Sequence, residues 1–173
     1  FCDYNRDLVE LELAKVFVEH NKPVVGICRG FQLLGMMLGF KGFIQDLSFD
    51  KKELHASNDK GFYGRAEPAH VVQTYGSFKK WLTQCGYGDK LTVNSWHHQG
   101  IYLPKKGVDK FNKLYGVEVI ASTDKIVEGF QHISYPMIGF QYHLEEYDHS
   151  LTMDYILAFI HDNEEQGYIG KEE

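Results

Sequence analysis

The chain has 173 residues, 43% hydrophobic and 14% aromatic, enough apolar side chain for one buried core and too much for a disordered protein. Its formal net charge is -6, it carries no basic stripe, and no apolar run approaches the roughly 18 residues of a membrane helix, so neither nucleic acid nor a membrane is expected as a partner. The three cysteines, Cys2, Cys28 and Cys85, are odd in number and irregularly spaced; they make neither a disulfide framework nor a Cys-x-x-Cys zinc pattern, so a reduced, cytoplasmic setting without metal or cofactor is expected.

In chain order, Asp3 or Asn5 can cap a helix over 6–20. Val9, Leu13, Val16 and Phe17 recur in it at helical spacing, with Leu8 and Leu11 beside them. Asn21 and Pro23 end it. Residues 24–27 read as a short buried strand, and an apolar helix over 31–38 follows at once, closed by Gly39 and Gly42. Residues 43–65 are polar and irregular and read as a long loop of the kind that often carries specificity. A strand is predicted over 70–75, a short helical turn over 78–85 and a strand over 91–95, which runs into Trp96-His97-His98-Gln99-Gly100. Two strands over 117–122 and 126–131 are joined by a turn at Asp124 and Lys125. A buried strand over 137–142 and a helix over 150–163 complete the pattern, with a polar, frayed tail from about residue 164. Helix–strand–helix, several strands, then strand–helix predicts a single α/β domain with a mixed sheet.

Two stretches carry chemistry. In Gly26-Ile27-Cys28-Arg29-Gly30 a cysteine sits where a strand turns sharply into a helix, as in a nucleophile elbow. Glycines on both sides keep side chains from colliding as the backbone doubles back. The helix N-terminus favours a thiolate. Taken singly, Cys28 also fits a small buried core residue. In the second stretch, the strand over 137–142 delivers His143 at its C-terminal end, where α/β proteins place chemistry. Glu145 lies two residues on, so in extended backbone it points the same way and can hold one imidazole nitrogen while the other faces a thiol. Alone, this His-x-Glu also fits a surface histidine beside a solvated glutamate. Together the two stretches give the cysteine, base and orienting group of nucleophilic acyl transfer.

Gly-Ile-Cys-Arg-Gly-Phe-Gln, Val-Asn-Ser-Trp-His-His-Gln and Gly-Phe-Gln-Tyr-His-Leu-Glu together resemble the class I glutamine amidotransferase superfamily. The arginine after the cysteine, the paired histidines, and Asp3, Arg6, Asp7 and Glu10 are similar to its γ-glutamyl-γ-aminobutyrate hydrolase branch. The resemblance implies a flavodoxin- or Rossmann-like fold, with a mixed, mainly parallel sheet flanked by helices. It implies that Cys28 attacks the side-chain amide carbon of a γ-glutamyl substrate to give a glutamyl thioester, with His143 moving the proton and Glu145 orienting His143. The backbone N–H of Arg29 becomes one oxyanion donor, a kind of contact worth about 3 kcal/mol of barrier. Gln32 and the main chain of His98, Gln99 and Gly100 are implied to grip the amino-acid end of the substrate. For Gln32 a helix-surface glutamine is the competing reading. For His97 and His98 the competing readings are a structural hydrogen-bonded pair and a metal site, the second disfavoured because no third ligand stands at suitable spacing. His70 reads as structural.

Two features depart from the family's pattern. Leu144 stands where proline is usual between the histidine and the glutamate, which loosens the turn carrying Glu145. The sequence also starts after the N-terminal strands and the Gly-Gly loop that the resemblance leads one to expect, so the whole of 1–173 is read as one amidotransferase-like domain lacking those strands. The leading expectation is a hydrolase that takes a small γ-glutamyl amide or glutamine and releases glutamate and an amine. The alternative is a glutaminase subunit passing ammonia to a separate synthetase. A third reading is an inactive binding relative.

Overall fold

The computed structural model describes residues 3–47, 67–104, 107–123, 125–146 and 150–169, with the side chains of 165–169 left aside. Helix α1 is Tyr4–Glu19; Asp3 caps it, its side chain accepting the Arg6 N–H at 3.1 Å. Asn21, at φ +53°, follows the helix end in a left-handed conformation. Strand β1 is Val24–Ile27 and helix α2 is Arg29–Met37. After them come β2 (Phe43–Ile44), β3 (His70–Thr74), α3 (Gly76–Gln84), β4 (Lys90–Val93), β5 (Gly100–Tyr102), α4 (Val108–Tyr115), β6 (Val117–Ser122), β7 (Ile126–His132), β8 (Met137–Phe140) and α5 (Ser150–Ile169).

The strands form one sheet in the order β1-β8-β7-β6-β3-β4. Strand β7 carries β8 along Gly129–Gln131 and β5 along Ile126 and Val127, and β5 in turn pairs with β2, so the sheet forks at β7. A mixed α/β fold is what the sequence predicts. Its expected mainly parallel character is corrected: among the described pairs only β1 with β8 is parallel, and the other six are antiparallel. Chain length between the strands is the reason. Strands β6, β7 and β8 are separated by only a few residues, which permits a hairpin and not the long crossover a parallel neighbour requires.

Side chains alternate across the sheet into two apolar layers. Phe78, Leu82, Ile120, Ile138, Phe140, Tyr142, Tyr155 and Ile156 belong to the layer on the α3 and α5 side. Phe31, Leu34, Phe40, Phe111, Val119, Phe130 and Met137 belong to that on the α2 and α4 side. In β8, Met137 falls in one layer and Ile138 in the other, as the two-residue strand period requires. A strand buried on both faces reads as a continuous apolar run, which is why 137–140 is unambiguous in the sequence.

Several expectations change. The loop predicted over 43–65 begins with a strand, because Phe43 and Ile44 pair with Ile101 and Gly100; residues 48–65 lie outside the described residues, as does Asp124 of the predicted turn. Strand β5 and helix α4 fall in a region to which the sequence pattern assigned no element. Helix α5 continues past residue 163, the end expected for it, to Ile169. The apolar stripe of α1 is not a core face: Leu8, Val9, Leu13, Val16 and Phe17 are each 42% or more exposed. Helix α1 packs on α2 and β1 through its partly buried Ala14 and Val18, and a groove of about 280 Å³ runs between its apolar side and β1.

Candidate active site

The elbow is built by close packing. Cys28 lies between the last residue of β1 and the first of α2, at φ +51° and ψ -103°, outside the regions ordinary side chains prefer. Such strain costs of order 1–3 kcal/mol and tends to be kept where function needs it. The Cys28 N–H donates to the Phe140 carbonyl at 2.9 Å, which extends the β1–β8 ladder to Cys28 itself. Gly26 is required by space. A Cβ there would lie 2.7 Å from Leu34 Cδ1 and 2.8 Å from the backbone of Gly30. The expectation that Gly30 is needed for the same reason is corrected, since a Cβ on Gly30 would meet nothing within 4 Å. The backbone of Gly30 crowds Gly26; the outward side of Gly30 is open.

Strand register places the two chemical stretches together. Ile27 is opposite Phe140 in the parallel pair, so Cys28 and the residues after Phe140 emerge at the same C-terminal end of neighbouring strands. Cys28 is a half-buried thiol outside any disulfide. His143 follows β8 by three residues, its Nδ1 2.7 Å from Glu145 Oε1. A carboxylate oxygen only accepts, so Nδ1 carries the proton and Nε2 is the nitrogen left to act as a base. The Glu145 side chain is 45% exposed and that of His143 14%. Between them Leu144 is 4% exposed and belongs to the apolar layer that holds Tyr142 and Ile156. Burial of Leu144 anchors this turn where a proline would have stiffened it.

Arg29 opens α2, so its backbone N–H has no carbonyl one turn earlier in the helix to bond. Its guanidinium is held by Asp7 and Glu10 of α1, and Glu10 also accepts from Arg6 Nε at 2.7 Å. Burial pushes the Glu10 carboxyl up, but the hydrogen bonds from Arg6 and Arg29 outweigh it and hold the group below the usual glutamate value. Burial likewise opposes the charge on Arg29, and Glu10 and Asp7 overcome it and raise its pKa. The Asp3, Arg6, Asp7 and Glu10 stretch therefore ties α1 to the start of α2.

Gln32 is half-buried, and its Nε2 donates to the Gln99 carbonyl at 3.2 Å and to Gln141 Oε1 at 3.0 Å. His97 is buried and its Nδ1 lies 2.7 Å from the same Gln99 carbonyl, whereas His98 is exposed, so the two histidines do different things. The His98 carbonyl accepts from the Leu47 N–H at 2.7 Å, and the Gln99 carboxamide donates to Gln45 at 2.6 Å. Among the described residues, His143, Glu145 and Glu146 form the group whose possible cation ligands lie within 4.8 Å of one another. Two of these already face each other in the His143–Glu145 hydrogen bond.

Three polar residues that the sequence reading passed over surround this arrangement. Asn94, 1% exposed, grips the His143 backbone through both ends of its carboxamide. Gln141, with no exposure, donates to Cys28 Sγ at 3.7 Å. Glu128, also with no exposure, lies 3.6 Å from His70 Nε2 and 3.9 Å from His97 Nε2. Only Gln141 left a signal in the sequence, as a polar residue directly after the apolar run Met137–Phe140; Glu128 shares its strand with Gln131 and His132, and Asn94 follows a strand that holds Lys90 and Thr92, so neither stands out.

The family model described as Peptidase C26 matches residues 2–145. The chain is similar to the glutamine amidotransferase-like protein YvdE of Lactococcus lactis, 26% identical over 81% of this chain and 53% of that protein. It is also similar to the carbamoyl phosphate synthase small chain of a Nostoc species, 27% identical over 86% of this chain and 30% of that one. Among solved structures, a glutamine amidotransferase from Thermotoga maritima superposes with a TM-score of 0.54 at 19% identity, over 94% of this chain and 57% of that one. The chain thus spans about half the length of the YvdE proteins it matches. Among the described residues, no helix is long and apolar enough to cross a membrane.

Proposed function

The chain belongs to the Peptidase C26 family, and from that premise we propose that it hydrolyses γ-glutamyl amide bonds, with Cys28 as nucleophile, His143 as base and acid, and Glu145 orienting His143. The observation that carries this reading is the arrival of a strained, helix-N-terminal cysteine and a hydrogen-bonded His143–Glu145 pair at the same end of two adjacent parallel strands.

In the proposed reaction His143 Nε2 takes the Cys28 proton and the thiolate attacks the side-chain amide carbon. The developing oxyanion meets the backbone N–H of Arg29. The imidazolium, held by Glu145, gives its proton to the leaving amine as the C–N bond breaks, which leaves a glutamyl thioester. Water then attacks the thioester carbonyl, His143 takes its proton, and the thiol is restored as glutamate leaves. The balance is γ-glutamyl amide plus water to glutamate plus amine. We assign Gln32, which donates to the Gln99 carbonyl, and the neighbouring His98 and Gln99 to the amino-acid end of the substrate. The thiol has to stay reduced, which fits a cytoplasmic setting.

A second reading, a glutaminase subunit that passes ammonia to a separate synthetase, is favoured by the likeness to a carbamoyl phosphate synthase small chain. Glutamate release from glutamine and from a panel of γ-glutamyl amides, with Cys28→Ala as control, tests both. Turnover of the amides but not of glutamine, lost in the variant, supports the hydrolase. Turnover of glutamine alone supports the subunit. A folded protein that releases nothing from any of them contradicts both.

A further inference from the structure

We propose that Gln141 is a catalytic residue of this site: its carboxamide N–H donates to the Cys28 thiolate, and Gln32 is the positioning residue that keeps the donor end turned toward sulfur. The inference rests on the reading of Cys28 as the nucleophile.

The orientation follows from a chain of forced choices. A peptide carbonyl can only accept hydrogen bonds, so the Gln99 oxygen fixes which end of the Gln32 carboxamide meets it: Nε2, at 3.2 Å. The same Nε2 has a second hydrogen, which goes to Gln141 Oε1 at 3.0 Å. With its oxygen turned to Gln32, Gln141 must present Nε2 on the other side, and there it meets Cys28 Sγ at 3.7 Å. The amide of Gln141 is thus oriented by partners and not by a choice between two equal flips.

Both ends of this chain are anchored. The Gln141 N–H donates to the Glu128 carbonyl at 2.9 Å, and Gln141 has no solvent exposure. The Gln99 carbonyl accepts from His97 Nδ1 at 2.7 Å, and the Nε2 face of that imidazole looks onto the buried Glu128 carboxylate. Water therefore does not compete for the contact from the Gln141 side, and the donor is in place before substrate arrives. A hydrogen bond to an ionised acceptor is stronger than one to a neutral acceptor. A donor aimed at sulfur therefore favours thiolate over thiol, and it adds to the helix N-terminus at the same atom.

The test reads the thiol without using turnover. In a Cys85→Ser background, alkylation of Cys28 by iodoacetamide is followed against pH by mass spectrometry of the Cys28 peptide. For Gln141→Met, similar in length but without a donor, the midpoint should rise by about one pH unit, so that alkylation near neutral pH slows about tenfold. Gln32→Met should shift the midpoint the same way by less, and the double variant should match Gln141→Met alone, because Gln32 acts through Gln141. An unchanged midpoint in a folded Gln141→Met protein, judged by near-ultraviolet circular dichroism, overturns the proposal. So does a Gln32→Met shift that adds in full to that of Gln141→Met. Should Gln141→Met not fold, Gln32→Met decides, and an unchanged midpoint there overturns it. The shifts are independent of hydrolysis: shifted midpoints in a protein that releases no glutamate support the role of Gln141 while contradicting the hydrolase reading, and turnover with unshifted midpoints does the reverse.

Discussion

Asn94 holds His143 by both ends of one carboxamide: its Nδ2 donates to the His143 carbonyl at 2.7 Å and its Oδ1 accepts the His143 N–H at 2.9 Å. This imitates a strand partner just past the end of β8, where the ladder has stopped. It fixes the backbone of the proposed base from the side, while Glu145 fixes its ring. Asn94→Ala removes both bonds from a buried position and should cost about 1–3 kcal/mol of stability. It should also lower kcat about tenfold or more, because a base displaced by a fraction of an ångström loses its alignment with the thiol. Denaturant unfolding and steady-state kinetics check the two parts. Asn94→Asp should restore one of the two bonds, the one accepting from the His143 N–H, and part of the rate.

Glu145→Gln keeps the size of the group and removes its charge. The amide can still accept from Nδ1–H, so the ring orientation can survive, but the imidazolium formed in the proposed reaction loses its counter-charge. Glu145 is close to half exposed, so solvent screens part of the effect. The expected result is a fall in kcat of roughly ten- to a hundredfold with KM little changed, short of the full contribution of a general base. Loss of binding with unchanged kcat would contradict the orienting role.

The two glycines around Cys28 should behave oppositely. In Gly26→Ala the new Cβ meets Leu34 and the Gly30 backbone at under 3 Å, so β1 and α2 must separate. A loss of about 1–3 kcal/mol is expected, with activity falling further as the elbow shifts. Gly30→Ala puts a methyl group in open space on the first turn of α2, at a position whose φ is not positive. Its stability should stay the same or rise by up to about 1 kcal/mol. Thermal unfolding of the two variants side by side checks this.

The tie between α1 and the elbow should appear as a pH effect. Glu10 is held below its ordinary value of 4.5 in the folded chain, its hydrogen bonds to Arg6 and Arg29 overcoming the opposing effect of burial. A depressed folded value means the unfolded chain binds the proton more readily. The stabilisation is therefore present above about pH 4.5 and is lost as pH falls from there through the depressed value. Glu10→Gln should be less stable than the parent at neutral pH and should show a flatter acid limb. The ion pair is about one-third exposed at each side chain, so high salt should shrink the difference. Chemical unfolding between pH 3 and 7 at two salt concentrations measures it.

The parts of the fold that were legible in the sequence were those with a local cause. Val24–Ile27 could be delimited because Pro23 and the Gly-x-Cys-x-Gly turn bracket it, and β8 because its run is apolar on both faces. Helix α4 was not legible. It has eight residues, only Phe111 of them buried, and Asp109, Lys110 and Lys113 make the stretch resemble a polar connection. Strand β5 has three residues and starts with Gly100, whose backbone is paired by β2, distant in sequence. The stripe on α1 was read correctly as a helix, but its exposure was not legible, because periodicity reports which residues share a side and not what covers them.

The candidate site divides in the same way. Cys28, His143 and Glu145 announce themselves by type and spacing. Asn94, Gln141 and Glu128 do not, because each acts across distances of 49, 113 or tens of residues through a carboxamide or carboxylate that looks ordinary in a strand pattern. Their burial makes them informative. A polar side chain with no water must be paired, and following its partners leads from Glu128 through His97, Gln99, Gln32 and Gln141 to the sulfur.

The central claim is a covalent glutamyl thioester on Cys28. Acid quenching during turnover of a γ-glutamyl amide, followed by mass spectrometry of the Cys28 peptide, looks for it directly. The account predicts a glutamyl adduct on that peptide, removed by hydroxylamine, absent in Cys28→Ala and more abundant in Glu145→Gln if water attack slows more than acylation. Steady release of glutamate with no adduct on Cys28 in either protein, and with activity retained in Cys28→Ala, would contradict it.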